Sequence, residues 1–250
     1  MVLGRVICDK IKVLEWNQEC DFNLSNHFDL WRVYIPNHLD SLVEDFDLLM
    51  PEEQKKSESF IMEEERQRYI LGKIFARKIL AKYLQTDPHT LGFKYSDRQK
   101  PILEEHPVLN FNISHSGDYI IIGFANKWSV GVDIELMNPH ADLYNLIIDC
   151  MSTTEVSVIL NSEMPRPTFY KYWTRKQALL KGIGIGVTDR MKEINCSDGL
   201  NLVPIEFSGF ASSWKVWSFE MEDSYSVSIA HDSAIRVVRF FEIGNTTADT

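Results

Sequence analysis

The chain is poor in the features that mark secreted, membrane-spanning or metal-stapled proteins. Its longest apolar run, Tyr119 to Ala125, is far too short to cross a bilayer and fits a buried strand instead. Four cysteines, Cys8, Cys20, Cys150 and Cys196, form no C-x-x-C pair, so neither a zinc site nor a disulfide framework is indicated and buried free thiols are expected. Positive charge is short as well: 26 Lys and Arg stand against 36 Asp and Glu, a formal net charge of -10. Nucleic acid and anionic membranes are therefore not expected partners, because both draw on clustered cations. Arg5, Asp9, Lys10 and Lys12 interrupt the apolar start before a signal-peptide core forms, which points to a cytoplasmic protein.

What is present suits a folded chain. At 250 residues, 44% hydrophobic and 25% charged, it can bury a substantial core as one large domain or two small ones. A strand is expected around Val33-Tyr34-Ile35-Pro36. Asp47 to Gln85 reads as helices, with Pro51 in a first turn and an apolar stripe of Ile70, Leu71, Ile74, Phe75, Ile79, Leu80, Tyr83 and Leu84. Ser96 to Pro101 reads as a polar loop. Three strands in a meander are expected from Leu109 to Glu135, turning at Gly117-Asp118 and Asn126-Lys127.

Residues 151 to 182 read as helix again, opened by the Ser152-x-x-Glu155 capping box and broken near Pro165. Half-buried strands follow, as at Ser213 to Ser218 and Tyr225 to Ala230. Helices then strands, twice over, predict an α+β fold of two comparable halves, divided as residues 1–126 and 127–250.

Chemistry is concentrated in a few residues. Asp133 and Glu135, two apart in a strand, project from one face. Such a pair repels unless a cation neutralises it, and Mg²⁺, which takes oxygen ligands and shares them with phosphates, is suited to it. A bare D-x-E is more often a solvated strand edge. His115, between Ser114 and Ser116, reads either as a phosphate contact in a hydroxyl-rich turn or as a structural histidine. Gln177 and Lys181 share a helix face, with Lys176 about a quarter-turn aside. Gly182-x-Gly184-x-Gly186 stops that helix and could let backbone approach a ligand. Two acids, a histidine and two lysines together suit a metal-bound diphosphate, since positioning and charge neutralisation are most of what phosphoryl transfer needs.

The ordered blocks F-N-I-S-H-S-G (111–117), G-V-D-I-E (131–135) and W-T-R-K-Q-A-L-L-K (173–181) resemble the Sfp-type 4′-phosphopantetheinyl transferases. Weaker likeness, including Lys100-Pro101, extends over roughly residues 45 to 231. The resemblance implies two similar α+β halves with coenzyme A in the cleft between them. It also implies transfer of the 4′-phosphopantetheine arm to a serine of an apo acyl or peptidyl carrier protein, in a chain sufficient as a monomer.

By position, Asp133, Glu135 and Gln177 would hold Mg²⁺. Ser114, His115, Lys176 and Lys181 would meet coenzyme A phosphates, Lys100 the adenine, and Lys56 and Arg68 the 3′-phosphate. Lys181 would also serve the leaving group. Gln177 departs from the family, which has a glutamate there as ligand and candidate base, and a carboxamide cannot take a proton. A metal-bound water, Glu135 or Glu155 would then have to accept the serine proton. The competing expectations are a binding module without catalysis and an unrelated α+β protein.

Overall fold

The computed structural model describes residues 3–95, 100–186, 188–209 and 213–244. The expected loop at 96–99 lies outside them. The first half contains strands β1 (Leu3–Lys10) and β2 (His27–Tyr34), then helices α1 (Ser41–Glu44), α2 (Pro51–Ser57) and α3 (Glu63–Leu84). Strands β3 (Phe93–Tyr95), β4 (Pro101–Leu103), β5 (Leu109–Ser116) and β6 (Tyr119–Asn126) follow. The second half contains β7 (Val130–Leu136), α4 (Tyr144–Cys150), α5 (Thr153–Leu160) and α6 (Pro165–Ile183). It ends in β8 (Gly199–Pro204), β9 (Ser213–Met221), β10 (Tyr225–Asp232) and β11 (Val237–Glu242).

The result is an α+β fold with two halves, each a sheet backed by one long helix. One sheet has the order β11-β2-β6-β5 and the other β7-β10-β9-β1-β8. The apolar stripe of α3 packs Ile70, Leu71, Ile74 and Leu80 against Val33, Ile120, Ile122 and Phe124 of the first sheet. The second helix packs Ala178, Leu179 and Leu180 against Val6, Trp214, Val216 and Ala230 of the other. Between the sheets lie Phe28, Leu30 and Ile121 from one and Val132, Ile134, Val227 and Ile229 from the other. The layers are therefore helix, sheet, sheet, helix, which buries both faces of the central strands.

Each sheet also borrows an end strand: β1 pairs with β8 and β9, and β11 pairs parallel to β2. The boundary expected at 126/127 falls between β6 and β7, but these end strands tie the halves together across it.

Two expectations need correction. The meander stops at β6, because β7 leaves that sheet and pairs antiparallel with β10. Nor is β10 half-buried: all its residues are buried, since α6 covers one face and the other sheet the opposite one. Its polar Ser226 and Ser228 survive burial by bonding Thr174 Oγ1 at 3.2 and 2.8 Å. The capping box is as expected, with Ser152 Oγ accepting from Glu155 N and Glu155 Oε2 accepting from Ser152 N.

Candidate active site in the cleft between the halves

The edge strands β5 and β7 belong to different sheets, and side chains stitch them together. Asn112 Oδ1 accepts from Val132 N at 2.8 Å, Ser114 Oγ from Ile134 N at 3.3 Å, and Ser116 Oγ from Leu136 N at 3.0 Å. The period of two on both strands makes this a ladder built from side chains instead of backbone carbonyls. The expected hydroxyl-rich turn is therefore corrected: His115 lies on β5, and the flanking serines bind β7.

Helix α6 then lies directly on β7. A Cβ on Gly131 would come within 2.0 Å of the Ala178 carbonyl oxygen, so only glycine permits this approach. The contact sets Lys181 beside Asp133.

Lys181 Nζ donates to Asp133 Oδ1 at 2.6 Å and to Ser114 Oγ at 2.9 Å. The other Asp133 oxygen, Oδ2, is buried with no hydrogen-bond partner among the described residues. Burial raises the Asp133 carboxyl above its usual range despite Lys181. Glu135 is also raised, first by burial and then by the Asp133 charge. Its two oxygens accept from Trp173 Nε1 and Ser116 Oγ, each at 3.3 Å.

A buried, orphaned carboxylate oxygen beside a second carboxylate is the environment a small divalent cation relieves. Among the described residues no group of three or more His, Cys, Asp or Glu could hold a metal. Asp133 and Glu135 offer only carboxylate oxygens, the donor type that Mg²⁺ takes alongside water and phosphate.

Lys181, which bonds Asp133, also lines a cavity of about 280 Å³ walled by both halves, with Tyr69 and Lys73 of α3, His115 of β5, Lys100 and Gly184. Gly184 ends α6 in the left-handed region at φ 82°, and Lys100 Nζ donates to the freed carbonyls of Lys181 and Gly182 at 3.3 Å. Burial lowers the Lys100 ammonium to about 8. The same cause, aided by Lys181, lowers His115 to about 4, so its imidazole is neutral at pH 7 and offers the cleft a hydrogen bond without a charge.

The other expected residues are placed differently. Arg68 donates to the Gly117 carbonyl at 3.0 Å and to Glu65 at 2.8 Å. Lys56 is exposed, its Nζ 5.4 Å from the Tyr69 ring. Gln177 is buried and donates to Met191 Sδ at 3.9 Å.

Lys176 and Glu155 lie away from the cavity lining. They form an ion pair at 2.6 Å with both side chains 0% exposed. Lys176 also donates to the Cys150 and Met191 carbonyls, and Glu155 accepts from Cys196 N and Ser152 N. Neither has a face toward the cleft. Helical spacing carries the signal: Lys176 and Lys181 are five apart, about 140° around the axis, so one helix cannot aim both at one ligand. Sequence reasoning missed Tyr69 and Lys73, which α3 turns into the cavity, and the positioning bond from Trp173.

Comparison with known proteins agrees with this geometry. The family model for the 4′-phosphopantetheinyl transferase N-terminal region matches residues 36–127, and that for the 4′-phosphopantetheinyl transferase superfamily matches residues 129–230. Among relatives, 4′-phosphopantetheinyl transferase HetI of Nostoc sp. is 28% identical over 214 residues, covering 83% of this chain and 88% of the relative. 4′-Phosphopantetheinyl transferase Sfp of Bacillus subtilis is 27% identical over 186 residues, covering 72% and 81%. Two adjoining matches that take in both halves establish that the chain belongs to the 4′-phosphopantetheinyl transferase superfamily.

Proposed function

We propose that the protein transfers the 4′-phosphopantetheine arm of coenzyme A to a serine of an apo acyl or peptidyl carrier protein, as a holo-[acyl-carrier-protein] synthase type enzyme. The observation that carries this reading is the Asp133 carboxylate, with one oxygen unpartnered among the described residues and the other bonded to Lys181, which with Lys73 and Lys100 lines the cleft. That arrangement suits a diphosphate with its counter-ion.

In the reaction the serine Oγ forms a bond to the phosphorus carrying pantetheine, and the bridging P–O bond to the adenylate breaks. Adenosine 3′,5′-bisphosphate leaves. Mg²⁺, when bound by Asp133 and Glu135, would supply charge neutralisation to the diphosphate. Lys181, held by Asp133 and Ser114, meets the negative charge that grows on the leaving oxygen. The serine proton passes to Glu135: it is partly exposed, whereas Glu155 is sealed in its ion pair and Gln177 has no basic atom. Trp173 and Ser116 fix Glu135 for that task.

The test is incubation of the purified chain with coenzyme A, Mg²⁺ and several apo carrier proteins, read by mass spectrometry. A gain equal to the arm supports the reading, and no gain on any carrier defeats it. Gln177 gives one second reading an observation of its own: a module that binds coenzyme A or carrier without catalysis. Activity that appears only after Gln177→Glu would favour the module.

A further inference from the structure

Lys100 reaches from one half to the other. It precedes β4 in the first half, yet its ammonium donates to the carbonyls of Lys181 and Gly182 in the last turn of α6, each at 3.3 Å. A helix end leaves such carbonyls outside the intrahelical ladder and gathers the negative end of the helix dipole, so a cation suits them. Backbone N–H groups close the same turn: Gly184 N donates to the Leu180 and Lys181 carbonyls at 2.9 and 3.2 Å, and Ile185 N to that of Leu180 at 3.0 Å. Lys100 adds a charge to this cap from the opposite half.

The residue so held is Lys181, whose ammonium bonds Asp133 Oδ1 and Ser114 Oγ. Its main chain is tied by Lys100 and its side chain by β7 and β5. Terminal helical turns fray unless tied, and a fraying last turn of α6 would carry the Lys181 ammonium away from Asp133.

Resting on the proposed coenzyme A chemistry, we infer that Lys100 is a positioning residue for transfer: in its charged form it latches the last turn of α6 to the first half and so keeps Lys181 aimed at the diphosphate. Burial lowers the Lys100 ammonium to about 8, so the latch loses its charge just above neutral pH. Tyr69 and Lys73 of α3, His115 of β5 and Lys181 of α6 line the same cavity. His115 is already neutral at pH 7, Tyr69 is pushed up to about 12, and burial lowers Lys73 as well. All four stay in place when Lys100 alone is replaced, which separates their titration from its own.

The experiment measures kcat and KM for coenzyme A from neutral to alkaline pH, with Mg²⁺ and an apo carrier protein. Wild type is compared with Lys100→Met and Lys100→Arg, with thermal midpoints recorded to confirm folding and amide hydrogen exchange followed over residues 180–185. Wild-type kcat should fall as pH rises through about 8. Lys100→Met should lose about tenfold in kcat, the scale of one charge-assisted hydrogen bond, with KM little changed and faster exchange in the last turn of α6. Lys100→Arg should restore kcat at neutral pH and remove the fall near pH 8, because a guanidinium stays charged there. A fall near pH 8 that survives in Lys100→Arg belongs to another group and overturns the inference. So does a folded Lys100→Met that raises KM alone, which would make Lys100 a nucleotide contact, or one whose exchange over 180–185 is unchanged. Wild type that neither binds coenzyme A nor transfers the arm defeats the parent reading, and the exchange measurement still reports whether Lys100 holds α6.

Discussion

Lys176 and Glu155 neutralise each other in an ion pair with no exposed surface, 2.6 Å apart, next in sequence to the residue where the family carries its glutamate. The pair ties α6 to α5 and to the backbone at Cys150, Met191 and Cys196. It supports the site by holding the helix that carries Lys181.

Breaking this pair should cost stability. Lys176→Met strands a buried carboxylate and Glu155→Gln a buried ammonium, each worth about 3–5 kcal/mol. Chemical denaturation should show a matching drop for either variant. A variant of normal stability that has lost transfer would instead assign the pair to the chemistry.

Gly131→Ala should displace α6. The new methyl meets backbone at Ala178 and Gly182, within 2.0 and 2.3 Å, where no side chain can rotate away. A loss of about 1–3 kcal/mol is expected, together with weaker coenzyme A binding as Lys181 leaves Asp133. Melting curves and calorimetry on the same sample read both.

Removing divalent metal with a chelator should abolish transfer, and added Mg²⁺ should restore it. Asp133→Asn should lower kcat about a hundredfold or more, because several kcal/mol of charge stabilisation are lost. Wild type with Gln177 intact should be active, and Gln177→Glu should lower the Mg²⁺ concentration needed. Titrating Mg²⁺ in the transfer assay tests all four statements.

His231 should make the fold acid-sensitive. It lies buried between the Phe28 and Trp217 rings with Nε2 unpartnered among the described residues, and burial lowers its imidazole to about 4. The folded-state value is below the unfolded one, near 6.5. Its contribution is therefore complete above about pH 6.5 and is lost as pH falls toward 4, by about 3 kcal/mol. His115, lowered to about 4 as well, adds in the same direction. Melting midpoints across this range should fall less steeply in His231→Phe than in wild type.

The sequence alone determined the alternation of helical and strand regions, the α3 stripe, the capping box at Ser152 and the D-x-E pair, because each is written in local spacing that a helix or strand must obey. Its three motif blocks also carried the family, including the departure at Gln177. Convergence needed the tertiary structure. The same motif helix holds Lys176 and Lys181, yet one is buried against Glu155 and the other reaches Asp133. Only the packing of α6 on Gly131 decides which face meets which partner. Ser114 and Ser116 read as part of a hydroxyl-rich turn until β7, from the other sheet, supplies the N–H groups that they and Asn112 accept. Lys73 stayed hidden for the same reason: its contacts with Glu53 and Tyr95 are made by α2, α3 and β3 coming together, and no local pattern records contacts among three separate elements.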